Sequence, residues 1–130
     1  MRAWDLPQGP DEFAAAADLV INVTSRKFSV SRAALLAKSR SQTDIAFARQ
    51  VAMYLVHVVF GLSFRDTGDA FRRERTTVAY ACSLVEDKRD DVAFDRQLDA
   101  IEESLKRLWA VERLRRVRSL HPLSEAPVAA

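Results

Sequence analysis

A long apolar run in the middle of the sequence limits what the chain can fold into. Residues 50–64, QVAMYLVHVVFGLSF, carry no charge over 15 positions. A membrane-spanning helix needs about 20 apolar residues, and this run contains Gly61, so it is better interpreted as part of a buried helix. The segment IAFARQVAMYLVHVVF is apolar on nearly all sides, which is typical of a central helix that other elements must cover.

The composition favours further helices as those covering elements. Apolar residues make up 48% of the 130 residues, and Pro and Gly together number seven. An all-β sandwich needs frequent turn residues, and this chain lacks them. We therefore predict an all-α fold of five or six helices, preceded by a flexible arm over residues 1–10 and followed by a disordered tail over residues 121–130.

Helix start signals divide the chain further. A Ser, Thr or Asp at the N-cap accepts hydrogen bonds from free backbone N–H groups, and Pro or an acid suits the first turn. Helices are therefore predicted to begin near Pro10 and Asp11, at Ser31 before RAALLAKS, at Thr43 or Asp44, and at Ser63. Gly61 is predicted to end the long helix, because glycine adopts the left-handed conformation found after helices.

Charge is segmented along the chain although the net charge is only +2. Residues 86–103 hold eight acids and three bases, whereas residues 106–118 hold six bases and one acid.

The single cysteine, Cys82, cannot form an internal disulfide, and the first residues lack the apolar segment of a secretion signal. We therefore expect a cytoplasmic protein with no membrane partner.

Residues 63–86 have the pattern of a helix-turn-helix. A short helix, FRDTGDAF, is followed by the turn RRER and the helix TTVAYACSLVED. Gly68 within the first helix indicates close packing there. In helix-turn-helix proteins the second helix lies in the major groove of DNA, and its first turn meets the base edges.

The residues at the start of that second helix suit duplex DNA. Arg75 can bond guanine with two N–H groups, Glu74 can accept a hydrogen bond from cytosine, and a threonine methyl can pack on thymine. Arg72 is placed to reach a phosphate. Taken alone, the sequence RRER also fits a solvated turn with an Arg–Glu pair. Together with the capped helix before it, the turn fits DNA binding equally well.

Two motifs then carry a family resemblance. They are ARQVAMYL at residues 48–55 and the pattern RxxTTV, formed by Arg73 with Thr76, Thr77 and Val78. In this order and spacing they closely resemble the C-terminal DNA-binding domain of the bacterial replication initiator DnaA. Shorter matches, together placing the resemblance over about residues 11–105, are Lys38-Ser39-Arg40, Leu62-Ser63 and Gly68-Asp69-Ala70-Phe71.

The resemblance implies a role for each matching residue. The implied backbone and phosphate contacts are Lys38, Arg49, Gln50 and Arg73. Arg40 matches an arginine that enters the minor groove. The positions that read bases in the major groove are matched by Glu74, Arg75 and Thr76, with Thr77 beside them. The family usually has Asp-His-Thr-Thr where this chain has Glu74 to Thr77, and Arg72 replaces a glycine in a turn one residue shorter. These departures leave open whether the ordinary DnaA box is recognised.

No catalytic or metal-binding pattern accompanies these residues. DnaA carries an ATPase module before this domain, and the sequence has no GxxxxGK[ST] motif. The resemblance therefore implies a free-standing DNA reader without enzyme activity, nucleotide or other cofactor. His57 fits a packed core histidine, Cys82 fits core packing, and the two histidines and one cysteine have no zinc-site spacing.

The last helix is predicted to run from about Asp91 to Arg118. Its apolar residues recur at steps of four and three, which indicates a heptad seam that closes the core, formed by Phe94, Leu98, Ile101, Leu105 and Leu108. The basic end over residues 106–120 has three open interpretations: a homodimer face through Trp109, Val111, Leu114 and Val117, a contact with DNA or an acidic partner, or a solvated helix end.

The function predicted from these observations is sequence-preferring binding of double-stranded DNA. The protein would act as a transcriptional regulator or as a modulator of replication initiation, associated with the bacterial nucleoid. The alternative is a protein-interaction module that keeps the DnaA-like fold and no longer reads DNA. Binding to DNA phosphates weakens steeply as salt rises, so salt dependence distinguishes the two.

Overall fold

The computed structural model describes residue 2, residues 5–38 and residues 42–120. Within these ranges the chain forms helices and no strand, so the all-α prediction is confirmed. The six helices are α1 (Gly9–Phe28), α2 (Arg32–Leu36), α3 (Thr43–Phe60), α4 (Phe64–Phe71), α5 (Arg75–Lys88) and α6 (Val92–Leu120). Two features named from the sequence, which are Arg40 and the tail 121–130, lie outside the described residues.

Helix α3 is the centre of the domain and packs against each of the other five helices. Its residues from Val51 to Val56 are all buried, so the helix has no solvent-facing side over that stretch. Burial of each large aliphatic side chain stabilises a fold by about 1.5–3 kcal/mol. The interpretation of the uncharged run as a covered helix is therefore confirmed.

Most helix ends follow the predicted signals. Ser31 Oγ accepts a hydrogen bond from the Ala34 N–H at 3.1 Å, and Ser63 Oγ accepts one from the Asp66 N–H at 3.0 Å. Gly61 ends α3 with φ 72°. The predicted cap of α3 at Thr43 or Asp44 is wrong, because the helix begins at Thr43 and its N-cap, Gln42, makes no side-chain capping bond.

Helix α2 is shorter than the predicted two turns. It ends at Leu36, and Ala37 is extended, with φ −66° and ψ 143°. The carbonyl groups at this end of the helix instead accept hydrogen bonds from the arginine side chains of other elements. Tertiary contacts therefore end this helix, and Lys38 leaves it in the direction of the turn between α4 and α5.

Helix α6 buries a different set of residues at its C-terminal half than the heptad pattern predicts. Leu98, Ile101 and Leu105 are buried as expected, but Leu108 is 43% exposed and Trp109 is 1% exposed. A straight helix has 3.6 residues per turn, whereas a heptad pattern assumes 3.5. The difference accumulates along the helix, so that Trp109 faces the core where the heptad pattern predicts Leu108. Trp109 packs edge-on against Phe60, with ring centroids 5.4 Å apart, and is therefore a core residue and no part of a dimer face.

The segment before α1 is anchored to α6. The Trp109 Nε1–H donates a hydrogen bond to the Asp5 carbonyl at 2.7 Å, and Pro7 is buried. Arg113 donates to the Leu6 carbonyl at 3.3 Å and to Glu12 at 3.1 Å. The described part of the arm, residues 5–8, is thus held by α6 and differs from the flexible segment expected.

A polar network joins α3, α5 and α6 on the side away from the turn. Arg89 donates hydrogen bonds to Tyr54 Oη at 3.0 Å and to Glu102 at 2.6 Å, and it also pairs with Asp95. Burial alone would lower the pKa of Arg89, but the hydrogen bonds to Asp95, Glu102 and Tyr54 outweigh it and raise the pKa. The network fixes the C-terminal end of α5 relative to the core.

Candidate nucleic-acid interface

The turn between α4 and α5 depends on the absence of a side chain at Gly68. A Cβ placed there would lie 2.3 Å from the Arg73 carbonyl oxygen. This distance is too short for any residue that carries a side chain. The Arg73 N–H donates a hydrogen bond to the Gly68 carbonyl at 2.9 Å. Gly68 thus allows the chain to pass directly over α4, which confirms the close packing expected from the sequence.

Arg72 occupies a left-handed backbone position in this turn. Its φ and ψ are 56° and 48°, and it forms the C-cap of α4. Residues other than Gly, Asn and Asp adopt this conformation at a cost of roughly 1–2 kcal/mol. The Arg72 side chain is exposed and makes no hydrogen bond or ion pair with the part of the chain that the structure describes. Arginine at this position therefore contributes nothing visible to the fold that offsets its backbone strain.

The first turn of α5 presents its polar groups to solvent. Glu74 is the N-cap, but its side chain accepts no capping hydrogen bond. Arg75, Thr76 and Thr77 are exposed, and none of the three side chains has a partner among the described residues. A helix start whose polar groups are unused is suited to bind an external polar or anionic group.

Two arginines connect the end of α2 to the rest of the domain. Arg49, which is buried, donates hydrogen bonds to the Leu35 and Ala34 carbonyls, both at 2.7 Å. Arg73, which is half-buried, donates to the Ala37 carbonyl at 2.7 Å and to the Phe71 carbonyl at 3.1 Å. The backbone just before Lys38 is thereby held on one side by α3 and on the other by the helix-turn-helix turn.

These two arginines also affect each other electrostatically. Burial lowers the pKa of Arg49, and the positive charge of Arg73 lowers it further. Carbonyl groups at the end of α2 carry the negative end of the helix dipole, which partly balances the two charges. Arg73 has no ion pair with a carboxylate in the described residues, so a bound anion would stabilise the arrangement.

A concave surface of about 760 Å³ opens between the end of α2 and the helix-turn-helix. Five basic and two acidic side chains line it, which gives a net charge of +3. The lining residues are Lys38, Arg65, Gly68, Asp69, Arg72, Arg73, Glu74, Arg75 and Thr77. The surface is open and positively charged, as expected for binding an extended anion rather than a small apolar ligand.

Most of the site residues predicted from the sequence meet at this surface. Lys38 and the residues Arg72 to Arg75 line it together with Thr77, and Thr76 is exposed beside them. Gln50 is half-buried on α3 and does not line it. Arg49 lies behind it, with its guanidinium bonded to α2 carbonyls, which differs from the exposed side chain expected of a phosphate contact.

Sequence reasoning did not select Arg65, although it lines the same surface. The available signal was its place two residues after the Ser63 cap, in the first turn of the helix that precedes the recognition turn. The spacing of apolar residues predicts which positions are buried. It does not distinguish Arg65 from other exposed polar residues.

The other residues considered for chemistry have structural surroundings. His57 contacts the Leu62 carbonyl through Nδ1 at 2.7 Å and stacks on Phe64. Cys82 is buried, and burial raises the pKa of its thiol to about 11. No group of three metal-binding side chains occurs among the described residues, and none of the described helices combines the length and apolarity that crossing a membrane requires.

A family model described as the bacterial dnaA protein helix-turn-helix matches residues 17–85. Those residues include α3 and the helix-turn-helix and cover more than half of the chain. The match ends three residues before the end of α5, so all of α6 lies beyond it.

Curated relatives agree with this match. The chain is 37% identical over 102 residues to the chromosomal replication initiator protein DnaA of Synechococcus sp. (strain JA-2-3B'a(2-13)), which covers 77% of the chain and 21% of that protein. It is 36% identical over 86 residues to DnaA of Lachnoclostridium phytofermentans, covering 65% of the chain and 19% of that protein. The DnaA of Lactococcus lactis subsp. cremoris is 43% identical over 61 residues, 45% of the chain and 13% of the relative. The chain thus spans about a fifth or less of the length of these relatives.

Proposed function

The chain belongs to the family of bacterial DnaA helix-turn-helix domains, and we propose on that premise that it binds double-stranded DNA with a sequence preference. Helix α5 would enter the major groove with its first turn leading. The use of this binding would be transcriptional regulation or modulation of replication initiation, the process named in its relatives. We expect no catalysis, no nucleotide cofactor and an association with the bacterial nucleoid.

One observation carries the proposal: unpaired basic side chains surround the exposed first turn of α5. Lys38, Arg72 and Arg75 make no ion pair with any described residue, although other arginines do. Arg32, for comparison, pairs with Asp18 at 2.6 Å, and Arg113 pairs with Glu12 at 3.1 Å. Basic side chains that the fold leaves without carboxylates are available to phosphates.

The proposed contacts divide into three groups. Arg75, Glu74 and Thr76 would read base edges, with Thr77 beside them. Lys38 and Arg72 would bind phosphates, as would Gln50 if the DNA backbone approaches α3. Arg40, which lies outside the described residues, keeps the minor-groove role that the resemblance implies.

Arg49 and Arg73 would act in a different way from the other basic residues. Their guanidinium groups hold the Ala34, Leu35 and Ala37 carbonyls. We assign them the positioning of the segment around Lys38 relative to the turn, with Arg73 also exposed enough to meet a phosphate. Arg49 is too buried for a direct contact to be its main contribution.

A mobility-shift titration with a pool of random duplexes, followed by sequencing of the bound fraction, tests the proposal. We expect an enriched sequence and an affinity that falls by orders of magnitude when salt rises from 50 to 200 mM, the behaviour of proteins that make several phosphate contacts. The proposal fails if no duplex is retained at low salt. Binding without an enriched sequence would remove the sequence preference and leave the duplex binding.

A second proposal is a homodimer through α6. Because Trp109 is buried in the core, the dimer face would consist of the remaining apolar residues of this helix end. Val111 and Leu114 are 65% and 62% exposed near the end of the helix, and they support it as apolar side chains without a partner among the described residues. Sedimentation equilibrium tests it: a dimer that Leu114→Glu dissociates supports the pairing, and a monomer at all concentrations excludes it. In that case the exposed end of α6 is available to another protein, as the interaction-module alternative requires.

A further inference from the structure

We propose that Arg65, on the first helix of the helix-turn-helix, is a phosphate-binding residue that forms one side of the concave surface. This inference rests on the proposed DNA binding and adds a residue that neither the family motif nor the sequence patterns select. Arg65 lines the surface together with Lys38, Arg72, Arg73 and Arg75. It is the only basic residue of the surface that α4 contributes.

The surroundings of Arg65 leave its charge available. Its side chain is exposed and makes no hydrogen bond or ion pair with the described residues. Asp69 lies one helical turn further along α4, at the spacing that favours an ion pair, and yet the two are unpaired. Asp66, directly beside it, is likewise without an ion pair to it. Arg65 therefore has neighbouring carboxylates on its own helix and forms an ion pair with none of them.

The position of α4 decides between a phosphate and a base as the ligand. In a helix-turn-helix the first helix crosses the DNA backbone and the second lies in the groove. Arg65 is in the first turn of α4, two residues after the Ser63 cap, whereas the base-reading candidates are at the start of α5. A contact from α4 should thus be made to the sugar–phosphate backbone and carry no sequence information.

Lys38 and Arg65 would then act together across the surface. Lys38 comes from the segment after α2, which Arg73 anchors through the Ala37 carbonyl, and Arg65 comes from α4. The turn residues Arg72 and Arg75 lie on the same surface. A DNA strand in the surface would meet basic side chains from three separate parts of the chain, which fixes its path more strongly than one element can.

The test compares Arg65→Gln with Arg96→Gln in the full chain, by fluorescence anisotropy on two duplexes of unrelated sequence over a series of salt concentrations. Arg96 is an exposed, unpaired arginine of α6 that does not line the surface, so it controls for the loss of one positive charge. We expect Arg65→Gln to weaken binding about tenfold on both duplexes and to reduce the slope of log affinity against log salt by about 0.9. Arg96→Gln should change neither, and Arg65→Lys should retain most of the affinity.

Three results would overturn the assignment. One is an unchanged salt slope for Arg65→Gln, and another is an equal effect of Arg96→Gln. The third is a loss confined to one duplex, which would make Arg65 a base-reading residue. If the unsubstituted protein binds no duplex at any salt concentration, the proposed function fails, and the inference about Arg65 fails with it. An equal unfolding midpoint for both variants confirms that folding does not cause the difference.

Discussion

Arg73 donates a hydrogen bond of 2.7 Å to the carbonyl oxygen of Ala37, across 36 positions of the sequence. The bond joins the turn of the helix-turn-helix to the segment that follows α2. Arg49 holds the same segment from α3 through the Ala34 and Leu35 carbonyls. Two separate parts of the proposed DNA-binding surface are therefore positioned by arginine side chains, one of which, Arg73, also lines the surface.

Arg49→Ala should lower the free energy of unfolding by about 2–4 kcal/mol. Two hydrogen bonds from a charged donor are lost, and two carbonyl groups at the end of α2 are left without those partners. DNA affinity should fall on all sequences alike, because the segment around Lys38 loses its support. Urea unfolding and anisotropy titration measure the two effects.

Arg32→Ala is the matched control for this change. It removes an exposed ion pair with Asp18 and an exposed hydrogen bond to Asn22, and an exposed pair of this kind typically contributes about 0–1 kcal/mol. If both alanine variants unfold at the same urea concentration, the positioning role of Arg49 is wrong.

Arg75→Ala should relax the sequence preference more than it weakens binding. A bidentate arginine–guanine contact contributes about 1–3 kcal/mol of discrimination against the wrong base pair. Sequencing of bound duplexes should therefore lose information at one position of the site. A uniform loss of affinity with an unchanged site would instead identify Arg75 as a phosphate contact.

Arg72→Gly should separate stability from binding. Glycine adopts the left-handed conformation without strain, although it also loses more backbone entropy on folding, so the free energy of unfolding should stay equal or rise by up to about 1 kcal/mol. The DNA affinity should fall, and the salt slope should decrease by about 0.9, because one phosphate contact is removed.

Arg72→Lys provides the comparison, since it keeps the charge and the backbone strain. It should bind nearly as well as the unsubstituted protein. Full affinity in Arg72→Gly would mean that Arg72 contacts no phosphate and that the strained backbone has another origin.

Alkaline pH should destabilise the protein through two buried groups. Burial raises the pKa of Cys82 from 9.0 to about 11 and that of Tyr54 from 10.0 to about 12. Both groups are neutral below these values and the fold favours the neutral form, so their contribution is complete below pH 9 and is lost as pH rises towards 12.

Urea unfolding between pH 8 and pH 11 measures this loss. Cys82→Ala should flatten the decline between pH 9 and pH 11, and Tyr54→Phe should act at higher pH. A decline of equal steepness in Cys82→Ala would exclude the thiol as a contributor. In the native protein, Cys82 should also react slowly with thiol reagents at pH 8, since its thiolate is scarce and the side chain is buried.

Local signals in the sequence predicted the helices well. Each of these signals depends only on residues close by in the sequence. Ser31 and Ser63 cap their helices and Gly61 ends α3, as predicted. The central helix was evident because a run without charge must be buried in a protein of this size. Exposed Glu74, Arg75 and Thr76 also lie where the helix-turn-helix pattern placed them.

Contacts between distant parts of the chain were not predictable in the same way. The early end of α2 depends on Arg49 and Arg73, which come from other helices and turns. The burial of Trp109 depends on where α6 meets Phe60 and Asp5. Arg65 became a candidate only when folding brought α4 beside Lys38, because its immediate sequence neighbours carry no sign of that partner.

The bonds from Arg49 and Arg73 to the carbonyl groups at the end of α2 have a consequence for protein engineering. A designer who grafts a new recognition helix onto this scaffold would exchange residues from Glu74 onward and leave Arg73 and the 34–37 backbone untouched, so that the groove-facing segments keep their spacing. If the recognition helix were moved to another scaffold without Arg73, the base-reading residues would be transferred without the side chain that fixes their position relative to the segment after α2.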